Sequence, residues 1–140
     1  MARIAIVVGS ESDLTYLTPA EEVLRRNQIP YELKVLSAHR NPEETAEFAR
    51  KAARRGIKVI IAAAGLSAAL PGFIASHTHL PVIGVPVVSG VLSGVDALLS
   101  ILQMPAGIPV ATMGLGRQAP ENAALLALRI LNLLEEKNLA

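Results

Sequence analysis

The chain of 140 residues lacks cysteine and tryptophan and contains only two phenylalanines and two tyrosines. Without cysteine it can form no disulfide, no thiolate nucleophile and no cysteine-ligated metal site, a composition that fits a reducing compartment. So few aromatic rings leave little stacking surface for nucleic-acid bases. The 13 basic and 12 acidic side chains nearly cancel and give a net charge of +1, so the charge balance predicts no attraction to a phosphate backbone. We therefore expect no nucleic-acid partner.

Long hydrophobic runs are also missing from the chain. Glycine, proline, serine and histidine interrupt every apolar run before it reaches the roughly 18 residues that a membrane span needs. The opening residues MARIAIVV lead directly into a strand-like pattern without the features of a signal peptide. We expect no membrane contact and a cytoplasmic protein.

What the chain does have is a high apolar content, 51%, in short runs that alternate with helical patterns. This length and composition predict one domain over residues 1–140 with a substantial core. The apolar runs predict five strands, at 3–8, 31–36, 58–64, 81–86 and 109–113. The segments between and after them predict helices at about 13–27, 42–55, within 64–76, at 91–104 and at about 120–137. Five consecutive βα units predict an α/β fold with three αβα layers: a doubly wound, flavodoxin-like, five-stranded parallel sheet.

The second helix has the best-marked start. Asn41 stands at the N-cap position, Pro42 at the first helical position and Glu44 at the third, which predicts a capping box. Gly56 is predicted to end the helix.

Ligands of such sheets bind beyond the carboxyl ends of the strands, near the point where the strand order reverses. The segments that follow the predicted strands hold most of the polar side chains that could bind a ligand or take part in catalysis. They are Ser10, Ser12, Asp13, Ser37, His39, Arg40, Ser67, Ser89, Ser93 and Arg117. A site built from these segments is therefore expected.

The segment GSESD (9–13) follows the first strand and opens a helix. Free backbone N–H groups and serine hydroxyls at such a place favour a phosphate group. A serine N-cap with an acidic first turn explains the same letters equally well. The pattern matches neither the dinucleotide fingerprint nor the P-loop, so it disfavours a dinucleotide or a triphosphate.

The segment SAHR (37–40) places His39 beside Arg40 in a strand-to-helix turn. A histidine can take and give a proton near neutral pH, and an arginine can bind a phosphate through two hydrogen bonds. A solvated turn histidine is the alternative interpretation. His77 and His79 have a spacing that metal ligands can show, but no third ligand is evident, and the sequence favours a surface turn there.

Taken together, the motifs resemble the PurE family of de novo purine biosynthesis. The similarity runs over nearly the whole chain, in the stretches GSESDL, VLSAHRNPE, LPGFIAS, PVIGVPV, LSGVDALLSILQMPAGIPVAT and ENAALLALRIL. Members of this family interconvert carboxylated forms of aminoimidazole ribonucleotide.

The resemblance implies a role for each matched residue. His39 corresponds to the family's catalytic histidine, Arg40 to its phosphate-binding arginine, and Ser37 to a neighbour in the pocket. Ser10, Ser12 and Asp13 correspond to the loop that holds the ribose phosphate and the ribose hydroxyls. No metal, biotin or nucleotide cofactor is implied, and the partner implied besides the small-molecule substrate is the protein itself, as a homo-octamer.

Two activities occur in the family: a mutase that moves a carboxylate from the exocyclic nitrogen to ring carbon C4, and a carboxylase that fixes CO2 directly. Mutase-type members usually carry a histidine where this chain has Ala69, whereas SAHR and the QMPAGIPVAT segment resemble the mutase type. The sequence favours the mutase. A direct carboxylase and a phosphosugar-binding homologue without turnover stay open.

The segments VLSGVDALLSILQM (91–104) and ENAALLALRILNLL (121–134) are apolar on more than one face. A helix that covers one face of a sheet needs a single apolar stripe. The apolar surface beyond that stripe predicts contacts with other subunits. Burial of both helices within one subunit is the alternative. With the resemblance, we expect Gln103, Met104 and Pro105 to approach a neighbour's active site.

Overall fold

Five parallel strands form one sheet in the order β2-β1-β3-β4-β5 in the computed structural model, which describes residues 1–135. The strands are β1 Ile4–Val8, β2 Tyr31–Val35, β3 Val59–Ala64, β4 Val82–Pro86 and β5 Ala111–Thr112. The order reverses beside β1, because the chain passes from β1 to one side and then crosses to β3 on the other. This is the doubly wound, flavodoxin-like arrangement that the sequence predicts.

Five α-helices within residues 1–135 connect and cover the strands. They are α1 Thr18–Arg26, α2 Pro42–Ala52, α3 Leu70–Ala75, α4 Val95–Leu102 and α5 Gln118–Leu134. None of the helices within residues 1–135 has the length and apolar character needed to cross a membrane.

The alternation of side chains along each strand creates two cores, one on each face of the sheet. On β1, Ile4 and Ile6 pack against α1 and α5, whereas Ala5 and Val7 pack on the face that α2, α3 and α4 cover. Because both faces are covered, β1, β3 and β4 are buried at every position, as the near-continuous apolar runs predict. The edge strand β2 is partly exposed throughout.

Two predicted helices start later than expected. Single 3-10 turns, Glu11–Asp13 and Thr15–Leu17, precede α1, whose regular turns begin next to Pro19, a residue that fits only the first turn of a helix. The residues before α4 cannot be helical because Ser93 and Gly94 have positive φ angles, 52° and 88°. The actual starts are Thr18 and Val95.

The other differences are short. β2 ends one residue earlier than predicted, and β5 is limited to two residues, since Pro109 lacks the N–H donor that a longer strand would need. α5 begins two residues early and ends at Leu134, and the predicted extension beyond residue 135 lies outside the described residues. Most of the differences between the predicted and the observed elements thus lie at the starts and ends of helices.

The capping box predicted for α2 is not formed. Asn41 occupies the N-cap position, but its side chain makes no capping hydrogen bond. Its own N–H donates to the Ser37 carbonyl at 2.8 Å, so this N–H is not left for the Glu44 side chain that the prediction required. Pro42 does begin the helix, and Gly56, in a left-handed conformation, ends the 3-10 turn that follows it.

Candidate active site

A cavity of about 530 Å³ lies at the carboxyl ends of β1 to β4, beside the reversal of strand order. Four connecting segments form its walls. Its lining residues are Gly9, Ser10, Ser12, Asp13, Ser37, Ala38, His39, Arg40, Ala64, Gly65, Leu66, Ser67, Ala69, Leu70 and Ser89. Parallel strands bring these distant segments together because all their carboxyl ends meet at one edge of the sheet.

The six residues predicted from the sequence to form the site all line this cavity: Ser10, Ser12, Asp13, Ser37, His39 and Arg40. Of the four other polar residues that follow strands, Ser67 and Ser89 line it and Ser93 and Arg117 do not. The segments after β1 and β2 contribute all the titratable groups, and we call residues 9–13 and 37–40 the charged wall.

The first part of the charged wall is ordered by its own serines. Ser10 caps the 3-10 turn after β1, since its Oγ accepts a long hydrogen bond of 3.4 Å from the Ser12 N–H and lies 3.0 Å from the Ser12 Oγ. The Asp13 N–H donates to the Ser10 carbonyl at 3.0 Å. Ser10 is therefore a cap, as one interpretation of GSESD predicts, and Ser10 and Ser12 also line the cavity.

Asp13 is half-buried in this wall. Burial raises the pKa of its carboxyl above the ordinary value of 3.8 because the charged form loses solvation. The carboxylate is a strong hydrogen-bond acceptor, and it suits ligand hydroxyls that replace the lost water.

The second part of the charged wall is the turn that carries His39 and Arg40. Ser37 organises it, because its Oγ accepts from the Arg40 N–H at 3.1 Å and its carbonyl accepts from the Asn41 N–H at 2.8 Å. The buried Thr45 hydroxyl, 3.3 Å from the same carbonyl, anchors the turn to α2. The His39 and Arg40 side chains are exposed, and neither forms an ion pair with residues 1–135. They are available to a ligand.

The segments after β3 and β4 form the opposite side of the cavity, and none of their lining residues is titratable. We call residues 64–70 with Ser89 the neutral wall. Leu66 is 58% exposed and has a positive φ of 54°, a backbone conformation that is costly for a residue with a Cβ atom. Its side chain lies against Gly90, where an added Cβ would come within 2.7 Å of it. No residue of this wall was predicted to bind substrate or to catalyse. Ser67 and Ser89 stood among the expected site segments only because they follow strands, and Ala69 only as the position where mutase-type members usually carry a histidine.

The remaining histidines lie outside the cavity. The His77 Nδ1 is 2.8 Å from the Phe73 carbonyl and 3.0 Å from the Ser76 hydroxyl, and its ring contacts the Phe73 ring. His79 is exposed in the same turn. No cluster of three metal-ligating side chains occurs among the described residues. The turn has the surface character that the sequence favours.

Comparison with known proteins shows similarity over nearly the whole chain. The family model described as AIR carboxylase matches residues 3–140. A Pseudomonas aeruginosa protein named N5-carboxyaminoimidazole ribonucleotide mutase is 53% identical over 130 residues, which cover 93% of this chain and 80% of that protein. A Bacillus subtilis protein of the same name is 52% identical over 133 residues, covering 95% and 82%.

Solved structures agree with the sequence comparisons. The crystal structure of Treponema denticola PurE superposes with a TM-score of 0.83 at 34% identity, covering 95% of this chain and 82% of that one. The similarity therefore extends to the order and packing of the elements that build the cavity. The chain belongs to the AIR carboxylase family.

Proposed function

We propose that the protein is an N5-carboxyaminoimidazole ribonucleotide mutase of purine biosynthesis. The observation that carries this proposal is the cavity at the strand ends, which combines an imidazole and a guanidinium in one turn. Relatives that are half identical over most of their length carry the mutase name. The names of these relatives favour the mutase over the direct carboxylase and over a homologue without turnover.

In this proposal, different residues of the charged wall bind different parts of the nucleotide. Arg40 binds the phosphate, since its exposed guanidinium has no carboxylate partner among residues 1–135. Ser10, Ser12 and Asp13 bind the ribose hydroxyls and the phosphate. Ser37 holds the turn in which His39 reaches the base.

The reaction consumes and releases one proton, so one imidazole can serve both steps. When the bond between the exocyclic nitrogen and the carboxyl carbon breaks, the nitrogen keeps the electron pair and takes a proton, and CO2 is released. C4 then forms the new bond to CO2 and loses its proton, which restores the aromatic ring. We assign both transfers to His39, because it is the only imidazole among the residues that line the cavity.

A direct assay tests the proposal. The purified protein is given the N5-carboxylated nucleotide without bicarbonate, and separately the unmodified nucleotide with and without bicarbonate. Turnover of the first substrate at low bicarbonate is the expected result. Turnover only of the unmodified nucleotide with bicarbonate would identify a carboxylase, and binding without turnover would identify a non-catalytic homologue.

The finer parts of the proposal are a cytoplasmic location and a homo-octamer. The apolar surface supports assembly: Val95, Leu99 and Leu102 recur at helical spacing along α4 and are 48–52% exposed, and Val91 just before them is fully exposed. Leu133 at the end of α5 is also exposed, at 65%. Contiguous apolar faces of this kind are uncommon on monomers, and a closed ring of subunits would cover them.

Light scattering coupled to size-exclusion chromatography tests the assembly. The expected mass is that of eight chains, and Leu99→Glu is expected to reduce it because a charge on the apolar stripe opposes burial. A monomeric mass at micromolar concentration with full activity would contradict the assembly and leave the mutase assignment standing. If Gln103, Met104 and Pro105 approach a neighbour's site, dissociation will also lower turnover.

A further inference from the structure

Ser89 is a polar group on the neutral wall that the reaction as described does not use. It follows β4 by three residues, lines the cavity and is half-buried. Its hydroxyl forms no hydrogen bond with any residue in the described part of the chain, 1–135. Since such a hydroxyl retains both a donor and acceptor capacity, a ligand in the cavity can use it.

The Ser89 hydroxyl lies against the Gly65 backbone. A Cβ atom added at Gly65 would lie 2.5 Å from the Ser89 Oγ, so the hydroxyl would have to move. The hydroxyl therefore occupies the space beside the Gly65 backbone, where the wall has no side chain of its own. Ser89 thus provides a hydrogen-bonding group on the neutral wall at a point where Gly65 offers no side chain.

Ser89 and Arg40 both line the cavity, but the strands that precede them are not neighbours in the sheet. Arg40 follows β2 and Ser89 follows β4, and these strands are separated by β1 and β3. Three strand spacings amount to about 14 Å. A nucleotide whose phosphate lies at Arg40 therefore directs its base, at the other end of the molecule, toward the neutral wall.

We propose that the Ser89 hydroxyl donates a hydrogen bond to the carboxylate of the carboxylated aminoimidazole. This inference rests on the proposed function, because it takes the carboxylated base as the group at this end of the cavity. A neutral donor suits a group that must change from carboxylate to CO2 and back. A cation in its place would stabilise the carboxylate alone and would oppose the loss of its charge.

The experiment compares two nucleotides that differ only in the carboxylate. Calorimetry measures the dissociation constants of 4-carboxy-5-aminoimidazole ribonucleotide and of the unmodified ribonucleotide for the native protein and for Ser89→Ala. A hydrogen bond to a charged acceptor corresponds to roughly 10- to 100-fold in affinity. Ser89→Ala is expected to lose that factor for the carboxylated nucleotide and to keep the affinity for the unmodified one within about twofold.

Two serines provide matched controls. Ser100 is also half-buried, but it lies on α4, outside the cavity, and its hydroxyl donates to the Asp96 carbonyl at 2.8 Å. Ser100→Ala is expected to bind both nucleotides as the native protein does. Ser67 is an exposed hydroxyl on the same wall, and Ser67→Ala asks whether any hydroxyl there has the same effect.

Each other outcome overturns the inference. An equal loss of affinity for both nucleotides in Ser89→Ala would indicate a structural role of Ser89. Unchanged affinities would show that the proposed hydrogen bond does not form. A selective loss in Ser67→Ala but not in Ser89→Ala would transfer the contact to Ser67. The proposed mutase activity is judged separately by turnover of the N5-carboxylated nucleotide, so failure of that assay and failure of the Ser89 test are distinguishable.

Discussion

The two walls of the cavity differ in what they contain. The charged wall holds Asp13, His39 and Arg40, whereas the neutral wall holds no titratable side chain. The charged wall comes from the segments after β1 and β2, and the neutral wall comes from those after β3 and β4. Under the proposed function, the charged wall would bind the phosphate and transfer the proton, and the neutral wall would shape the space around the reacting carboxyl.

The largest effect is expected from His39→Asn. Removing the proton carrier lowers turnover by about 100- to 10,000-fold, while the fold and nucleotide affinity stay nearly unchanged, because the exposed side chain makes no ion pair with residues 1–135. Steady-state kinetics and calorimetry measure the two quantities. His79→Asn is the control, since it changes an exposed histidine outside the cavity. Native turnover in a folded His39→Asn protein would remove His39 from the mechanism.

Arg40→Ala tests the other function of the charged wall. Loss of charge-assisted hydrogen bonds to the phosphate weakens nucleotide binding by roughly 10- to 100-fold, with some loss of turnover because the phosphate also positions the base. Calorimetry with the nucleotide and with its dephosphorylated nucleoside separates the effects: only the nucleotide is expected to lose affinity. Arg54→Ala removes an exposed arginine elsewhere and serves as the control. Equal losses for nucleotide and nucleoside would mean that the phosphate lies away from Arg40.

A smaller effect is expected on the neutral wall from Leu66→Gly. Glycine adopts the left-handed backbone that Leu66 has at φ 54° without the Cβ penalty of about 1 to 2 kcal/mol, but it loses roughly 0.5 to 1 kcal/mol more backbone entropy on folding. We therefore expect the free energy of unfolding to rise by about 0.5 to 1 kcal/mol. Turnover is expected to fall, because the side chain forms part of the cavity wall. Ser93→Gly is the matched control, since Ser93 has φ 52° outside the cavity and is expected to gain stability without losing turnover. Equal kinetic effects of both variants would contradict a role for the Leu66 side chain.

The smallest effect is expected from Asp13→Asn, and it depends on pH. Burial raises the pKa of Asp13 above 3.8, so the folded protein binds this proton more tightly than the unfolded chain does. The charged carboxyl therefore destabilises the fold: the loss of stability begins as the pH rises above 3.8, is complete above the raised pKa of the folded state, and is absent below 3.8. Asp13→Asn is expected to raise Tm at neutral pH, with the gain disappearing in acid, and to weaken nucleotide binding.

Glu47 provides the control of opposite sign. The hydrogen bond and charge of Lys51 lower the pKa of Glu47 below its ordinary 4.5, so its ionised form stabilises the fold. Glu47→Gln is therefore expected to lose a little stability at neutral pH, where Asp13→Asn gains it, and to keep native nucleotide affinity. A fall in Tm at neutral pH in Asp13→Asn would contradict the destabilising role of the buried carboxylate.

Much of the charged wall could be predicted from the sequence because its chemistry is local. Histidine and arginine beside each other in a strand-to-helix turn indicate a candidate site within four residues of sequence. Because the carboxyl ends of parallel strands meet at one edge of the sheet, that turn is expected to lie beside the serine loop after β1. The neutral wall gave no comparable signal. Gly65 and Ser89 are 24 positions apart in the sequence, and only the packing of β3 beside β4 puts the hydroxyl of one against the backbone of the other.

The sequence by itself determined the five strands, most helix positions and the charged residues that line the cavity, because apolar periodicity and turn residues act over a few neighbours. The tertiary structure decided the start of α4, where a left-handed backbone at Ser93 and Gly94 replaces the expected helix. The structure also shows that the capping box predicted at Asn41 is not formed, because the Asn41 N–H donates to the Ser37 carbonyl instead. These features depend on backbone conformation and on competing hydrogen-bond partners, which apolar periodicity and capping patterns do not encode.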